Sequence, residues 1–370
     1  MQPVCRLIGK RARGWPCQVV EKTMSERVVV QPKLLPDLLG RLSGVARKIF
    51  LAGGILPVVL VIAIVGFAVA EPRFLTYNNL FNVARASSFL VVVSMGQMLT
   101  LLVRGIDMSI GSTEALISVC VALVMATVLA GDPGAPWLAI AAGIGAGLVI
   151  GALVGAVNGI GIAVFNVNPF IMTVGMLSIL SGGALTVSGG MPMYGMPKQF
   201  GEVFAYAAPL GIPAPVWVAA GVFLIMYYIL NWTPFGRRIY ALGGNIVASR
   251  LAGISTRLHM VMAYVMCSVI VAVGGILLTA RVGTGEATLA STHVLESITA
   301  VVIAGVSFFG GIGRVGNVVL GAFFVTLVTN GMNLLRVPSY QQLIVLGVLL
   351  ILAVVVDQVR IKMMQQVRAE

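Results

Sequence analysis

The sequence predicts an all-α integral membrane protein with about ten transmembrane helices, arranged so that two inverted five-helix halves are possible. Three observations carry this. Of the 370 residues, 59% are hydrophobic and 10% are charged, and mean hydropathy is +1.02; a soluble chain is roughly 25% charged. The apolar residues form continuous runs of about 20, the length a helix needs to cross a bilayer, and not the alternating segments of a barrel. The 44 glycines suit helices packed closely in lipid, where small residues let backbones approach.

The elements follow in order. Residues 1–48 hold ten Lys/Arg against three acidic residues, which is +7 of the chain's +12. They read as a basic cytoplasmic arm that anchors topology, and no nucleic-acid partner is needed to account for the charge. Met24, followed by SERVVVQ, offers an alternative start. Residues 1–23 are therefore expected to be either an unstructured extension or a mis-assigned beginning. No signal-peptide apolar region precedes the first span.

Spans are expected over 49–70, 83–103, 108–130, 137–165, 169–188, 214–231, 260–280, 294–311, 317–335 and 341–356. A polar, Pro/Gly-rich stretch fills 189–213, and a cytoplasmic tail covers 357–370. With the N-terminus inside, 19 Lys/Arg fall on the inner side and 5 on the outer. That imbalance supports an even number of spans and two cytoplasmic termini. Five spans precede the hairpin that carries the long loop at 232–259, and five lie from Ala214 onward. An odd-numbered repeat must be inverted in the membrane, and Arg104–Asp107 and Arg281–Glu286 stand at matching joints. Cys5, Cys17, Cys120 and Cys267 lack metal-ligand spacing, so neither a metal site nor a disulfide is expected.

The loop reads TPFGRRIYALGGNIVASRLAGISTRLH from Thr233 to His259. Arg237, Arg238, Arg250 and Arg257 have no acidic neighbour in it. Each arginine would cost about 2.5–3.5 kcal/mol at the centre of a spanning helix, so the segment belongs in the cytoplasm. Asn245 is suited to N-cap a two-turn helix over 246–252, and Gly253 to end it. The segment fits a docking surface or a solvated connector whose arginines only set topology.

A second unusual stretch is Arg104-Gly105-Ile106-Asp107-Met108-Ser109-Ile110-Gly111-Ser112, which breaks an apolar stretch with two charges. Its glycines and serines allow an interrupted backbone. It fits either a conformational joint or a capped hairpin in which Asp107 caps the next span and pairs with Arg104. Glu114 follows inside a span, where a carboxylate needs a cavity, a partner or the interface. Gln97, Asn158 and Asn330 are polar groups within spans, suited to lining a path or to bonding between helices. Residues 310–317, GGIGRVGN, lack the Lys-Ser/Thr of a phosphate loop and read as a tight cytoplasmic turn. No nucleophile–base arrangement is present, so an enzyme is not expected.

Four segments in order carry a family resemblance. RGIDMSIGS resembles the GIDLSVGS signature of ribose-type sugar permeases of ATP-binding-cassette importers. TPFGRRIYALGGNIVASRLAGI is similar to that family's cytoplasmic segment. SITAVVIAGVSFFGGIGRVGNVVLGA and NGMNLLRVPSYQQLIVLGVLLILAVVVD resemble its later segments. The likeness runs from about Phe74 to Asp357. It implies a bacterial inner-membrane permease that pairs with a second copy, docks an ATPase inside and receives a monosaccharide from a periplasmic binding protein. ATP and magnesium would be bound by the partner, with no cofactor on this chain.

By the same resemblance, Asn245, Ala248, Ser249, Arg250, Leu251, Gly253 and Ile254 would form the helix that couples to the ATPase. Arg104, Gly105, Asp107, Ser109, Gly111 and Ser112 would form the joint. The chain departs from the family pattern at Glu114, Glu296 and Phe308-Phe309, and in RVGTGEATLAS, which leaves the sugar open. Two alternatives are a branched-chain amino-acid permease of the same plan and a secondary transporter using Glu114 or Asp107 for a proton.

Overall fold

The computed structural model describes residues 56–369, with side chains through 359. The basic arm at 1–48, its alternative start and the beginning of the first expected span lie outside the described residues. Within them the regular elements are helices, joined by turns and irregular segments. The one extended pairing is an isolated antiparallel bridge between Met193 and Gly285.

Helix α1 (Leu56–Ala70) leads through a 3-10 turn to α2 (Tyr77–Leu102), followed by α3 (Ile110–Gly131), α4 (Pro136–Ala163) and α5 (Pro169–Ser188). The stretch after α5 contains a short α6 (Lys198–Gly201), a π turn (Glu202–Tyr206) and a 3-10 turn. Next come α7 (Ala214–Trp232), α8 (Pro234–Gly244), α9 (Ile246–Leu251), α10 (Thr256–Val282), α11 (His293–Ile303), α12 (Val315–Leu334) and α13 (Ser339–Ala369). Several starts are written locally. Prolines stand in the first turn of α4, α5, α7 and α8, where a missing N–H costs no helix bond. Asn168 caps α5 by accepting from the Phe170 amide at 2.9 Å.

Eight helices among the described residues are long and apolar enough to cross a membrane: α2, α3, α4, α5, α7, α10, α12 and α13. Two shorter apolar helices, α1 and α11, stand where the first and eighth spans were expected. The eighth expectation needs correction. Residues 294–311 are not one span: α11 has eleven residues, about 16 Å at 1.5 Å per residue. It stops because Gly305 takes a left-handed φ of 81°, and Gly310 and Gly311 turn the chain again. α13 runs through the last expected span and continues without a break to Ala369; residues 357–369 contain no glycine or proline to end it.

α2 is almost wholly enclosed and forms the centre of the bundle, with α10, α12, α7 and α11 packed on it. α10 also packs along α4, and this seam is made by glycine. Gly143, Gly147, Gly151, Gly155 and Gly159 recur every four residues on α4 and are all buried; the last three face the α10 backbone, whereas Gly143 faces Met125 of α3. A β-carbon at Gly151 would stand 2.8 Å from the Ser268 carbonyl oxygen, and one at Gly155 2.5 Å from that of Tyr264. The two backbones approach closely only because no side chain intervenes.

Candidate functional site

The arginine-rich segment folds into two helices and the start of a third. Thr233 accepts from the Gly236 amide and begins α8, an eleven-residue helix that the sequence reading took as connector. Asn245 then caps α9, accepting from the Ala248 amide at 3.0 Å, as expected. Gly253, at φ 79°, takes the left-handed turn that follows. Ser249 is buried beneath α9, whereas Val247, Ala248, Arg250 and Leu251 face outward. Leu251 is 85% exposed and Val247 68%. They are four residues apart and so form one apolar strip. Ile254 is half-buried, and its amide donates to the Ser249 carbonyl at 3.0 Å.

α8 fixes this strip to the bundle through backbone. Arg104 follows the end of α2 in a left-handed conformation, φ 64°. Its Nε donates to the Gly243 carbonyl at 2.6 Å and its Nη2 to that of Gly244. A guanidinium thus closes the negative end of the α8 dipole. The Gly311 amide donates to the Leu102 carbonyl at 3.0 Å, and the Tyr240 hydroxyl to the Gly313 carbonyl at 3.0 Å. A β-carbon on Gly243 would collide with the Leu102 carbonyl oxygen and the Gly311 amide. Three segments distant in sequence therefore meet here: the end of α2, the end of α8, and the turn before α12. Burial pushes the Tyr240 hydroxyl upward in pKa, which keeps it a neutral donor.

This arrangement overturns the expected Arg104–Asp107 pair. Asp107 is enclosed and turns inward, accepting from the Ser109 amide at 2.8 Å and the Ser109 hydroxyl at 2.6 Å. Burial raises its carboxyl pKa, and the Ser109 bonds only partly offset that. Asp107 is also not the N-cap of α3; Ser109 stands there. The Ser109 carbonyl accepts from the Ser112 and Thr113 hydroxyls, and Asn158 Nδ2 donates to the Ser109 hydroxyl at 3.1 Å. Gly105 lies against the Tyr264 hydroxyl with no room for a β-carbon, and a β-carbon at Gly111 would stand 2.6 Å from the Ala290 carbonyl oxygen. A cleft of about 360 Å³ borders this joint, lined in part by Arg104, Gly105, Asn166, Asn168, Ile246 and Tyr264.

The remaining polar candidates are placed separately. Glu114 is fully buried, and its Oε2 lies 2.8 Å from His293 Nδ1 at the start of α11. The sequence reading missed this pair because 179 residues separate its members. Gln97 is enclosed, and neither of its amide atoms has a protein partner. Asn330 exchanges two 3.0 Å hydrogen bonds with Asn79, tying α12 to α2. Among the described residues no group of three His, Cys, Asp or Glu is placed to hold a metal.

Residues 79–354 match the family described as branched-chain amino acid transport system / permease component. The chain belongs to this permease family. Within it, the chain is 36% identical over 304 residues to the ribose import permease protein of Escherichia coli strain K12, covering 81% of this chain and 92% of that one. The D-allose transport system permease protein of the same strain is 36% identical over 299 residues, 81% of this chain and 89% of its own. The L-arabinose transport system permease protein is 34% identical over 305 residues, covering 82% and 90%. No solved structure matches the permease. These identities bear out the ribose-type resemblance read from the four segments, and with the apolar helices they make the chain a multi-pass membrane permease.

Proposed function

We propose that this chain is the transmembrane permease subunit of an ATP-binding-cassette importer for a monosaccharide, a pentose or hexose related to ribose. In this reading the chain lies in the bacterial inner membrane with both termini cytoplasmic and works as a homodimer. A periplasmic binding protein supplies the sugar. A partner ATPase binds ATP and magnesium, and this chain performs no catalysis.

The observation that carries the reading is the hydrogen-bonded clamp among α8, the end of α2 and the turn before α12. The α9 strip of Val247 and Leu251 is exposed, as a docking surface requires, and the segment behind it is not a slack loop. A push on α9 reaches α8, and from α8 it reaches the centre of the bundle through Arg104 and Gly243. The cleft beside Ile246 and Gly105 borders both parts, so moving one against the other changes its shape. Rigid-body rocking of this kind gives alternating access without chemistry in the permease itself. The arginines of the α8–α9 segment, with Arg104 and Arg314, gather at this end, which fits a cytoplasmic face.

A second reading, import of a branched-chain amino acid, takes its support from the family's description; the three sugar permeases above weigh against it. Uptake by proteoliposomes that contain permease, ATPase and binding protein separates the readings. Labelled ribose, allose or arabinose is expected to accumulate only with ATP inside, and leucine is not. Accumulation of leucine in place of sugar would overturn the substrate class. Gradient-driven accumulation by the permease alone would favour a secondary transporter.

A further inference from the structure

Away from α8 and α9, the opposite ends of α2 and α10 come together in a cluster of arginine and aromatic side chains. Phe81, Arg85 and Phe89 are spaced four residues apart on α2 and share one stripe of it. The Arg85 guanidinium carbon lies 5.1 Å from the Phe81 ring centroid and 5.7 Å from that of Tyr206. Arg281, in the last turn of α10, lies 5.4 Å from the Phe89 ring. The Tyr206 hydroxyl donates to the Arg281 carbonyl at 2.8 Å. One tyrosine therefore touches both arginines, and both guanidiniums rest against one aromatic wall.

No carboxylate among the described residues lies within ion-pair distance of either arginine. Arg85 is half-buried, and its Nε is enclosed without a hydrogen-bond partner. Buried N–H groups are normally satisfied. Aromatic faces hold a guanidinium in place but do not accept its in-plane donors. The unfilled Arg85 donor, with the exposed Arg281 guanidinium beside the same aromatic wall, matches the oxygens of a carboxylate or a phosphate.

We propose that Arg85 and Arg281 form an oxyanion site, with Phe81, Phe89 and Tyr206 as its walls. The site does not depend on the sugar reading. Two sources supply the chemistry: an acidic solute, or the headgroup of an anionic lipid.

The test uses the purified full chain and follows its thermal unfolding. In neutral detergent at constant ionic strength, inorganic phosphate or glucuronate is titrated against glucose. The same measurement is repeated in nanodiscs of phosphatidylcholine with and without phosphatidylglycerol. A saturable rise with phosphate or glucuronate, absent with glucose, identifies a solute site. A rise only with phosphatidylglycerol identifies a lipid site. Either effect is expected to weaken at least tenfold in apparent affinity in Arg85→Gln and in Arg281→Gln, and to survive in part in Arg85→Lys. Arg281 is exposed, so its variant remains informative if Arg85→Gln does not fold. No anion dependence in either medium, or an effect unchanged in both Gln variants, overturns the proposal.

Discussion

Arg104 shows how a charge can be read correctly as unusual and still be given the wrong partner. Sequence proximity pointed to Asp107, three residues away. The fold instead gives Arg104 the two carbonyls that end α8, and leaves Asp107 to Ser109. Arg104→Ala removes a charged fork from a helix terminus, an interaction worth about 0.3–1 kcal/mol for the dipole alone. It is expected to leave membrane insertion intact and to slow ATP-driven uptake; Arg104→Lys, which cannot hold both carbonyls in one plane, should recover only part of the rate. Gly243→Ala is expected to be more severe, because its β-carbon meets backbone on two sides; overpacking of this kind costs about 1–3 kcal/mol. Uptake at the wild-type rate in Gly243→Ala would mean that the clamp does not transmit motion.

The Glu114–His293 pair is the other residue-scale finding. Glu114 is enclosed and His293 half-buried; removing one partner of a hydrogen bond to a buried group costs about 1–3 kcal/mol, whereas replacing both with apolar groups can be nearly neutral. His293→Leu alone should therefore lower the unfolding temperature more than Glu114→Leu combined with His293→Leu. A double variant less stable than the single one would show that the pair is not what holds α11 against α3. The sequence marked Glu114 as costly in a membrane and could not supply its partner, since helical period says nothing about contacts 179 residues apart.

At the scale of elements, local signals were legible and tertiary ones were not. The Asn245 cap, the short helix after it and the Gly253 turn are fixed by side-chain chemistry within a few residues, and each stands as read. Helix α8 was missed because its charges read as solvated connector, although Thr233-Pro234 is a helix start. α11 was read as a full span because the apolar run continues beyond Ile303; the left-handed turn at Gly305 ends the helix first. The glycine seam of α4 was visible as composition, and its partner α10 was not. Gly155→Leu is expected to drive α4 from α10 and to lower the unfolding temperature sharply, while Gly145→Leu, with open space beside it, should be mild. Equal effects at the two positions would contradict the seam.

For the whole molecule, the family and the helical membrane fold were legible because they rest on motif order and on apolar length. The relative placement of helices was not, and it is what assembles the clamp from three distant segments. In the proposed reading, a partner ATPase moves the bundle through α9. Its most direct test is uptake by the complete transporter carrying Arg250→Ala with Leu251→Ala. The account predicts normal insertion and ATP hydrolysis, with sugar uptake reduced at least tenfold, about 1.4 kcal/mol of coupling. Uptake at the wild-type rate would contradict it.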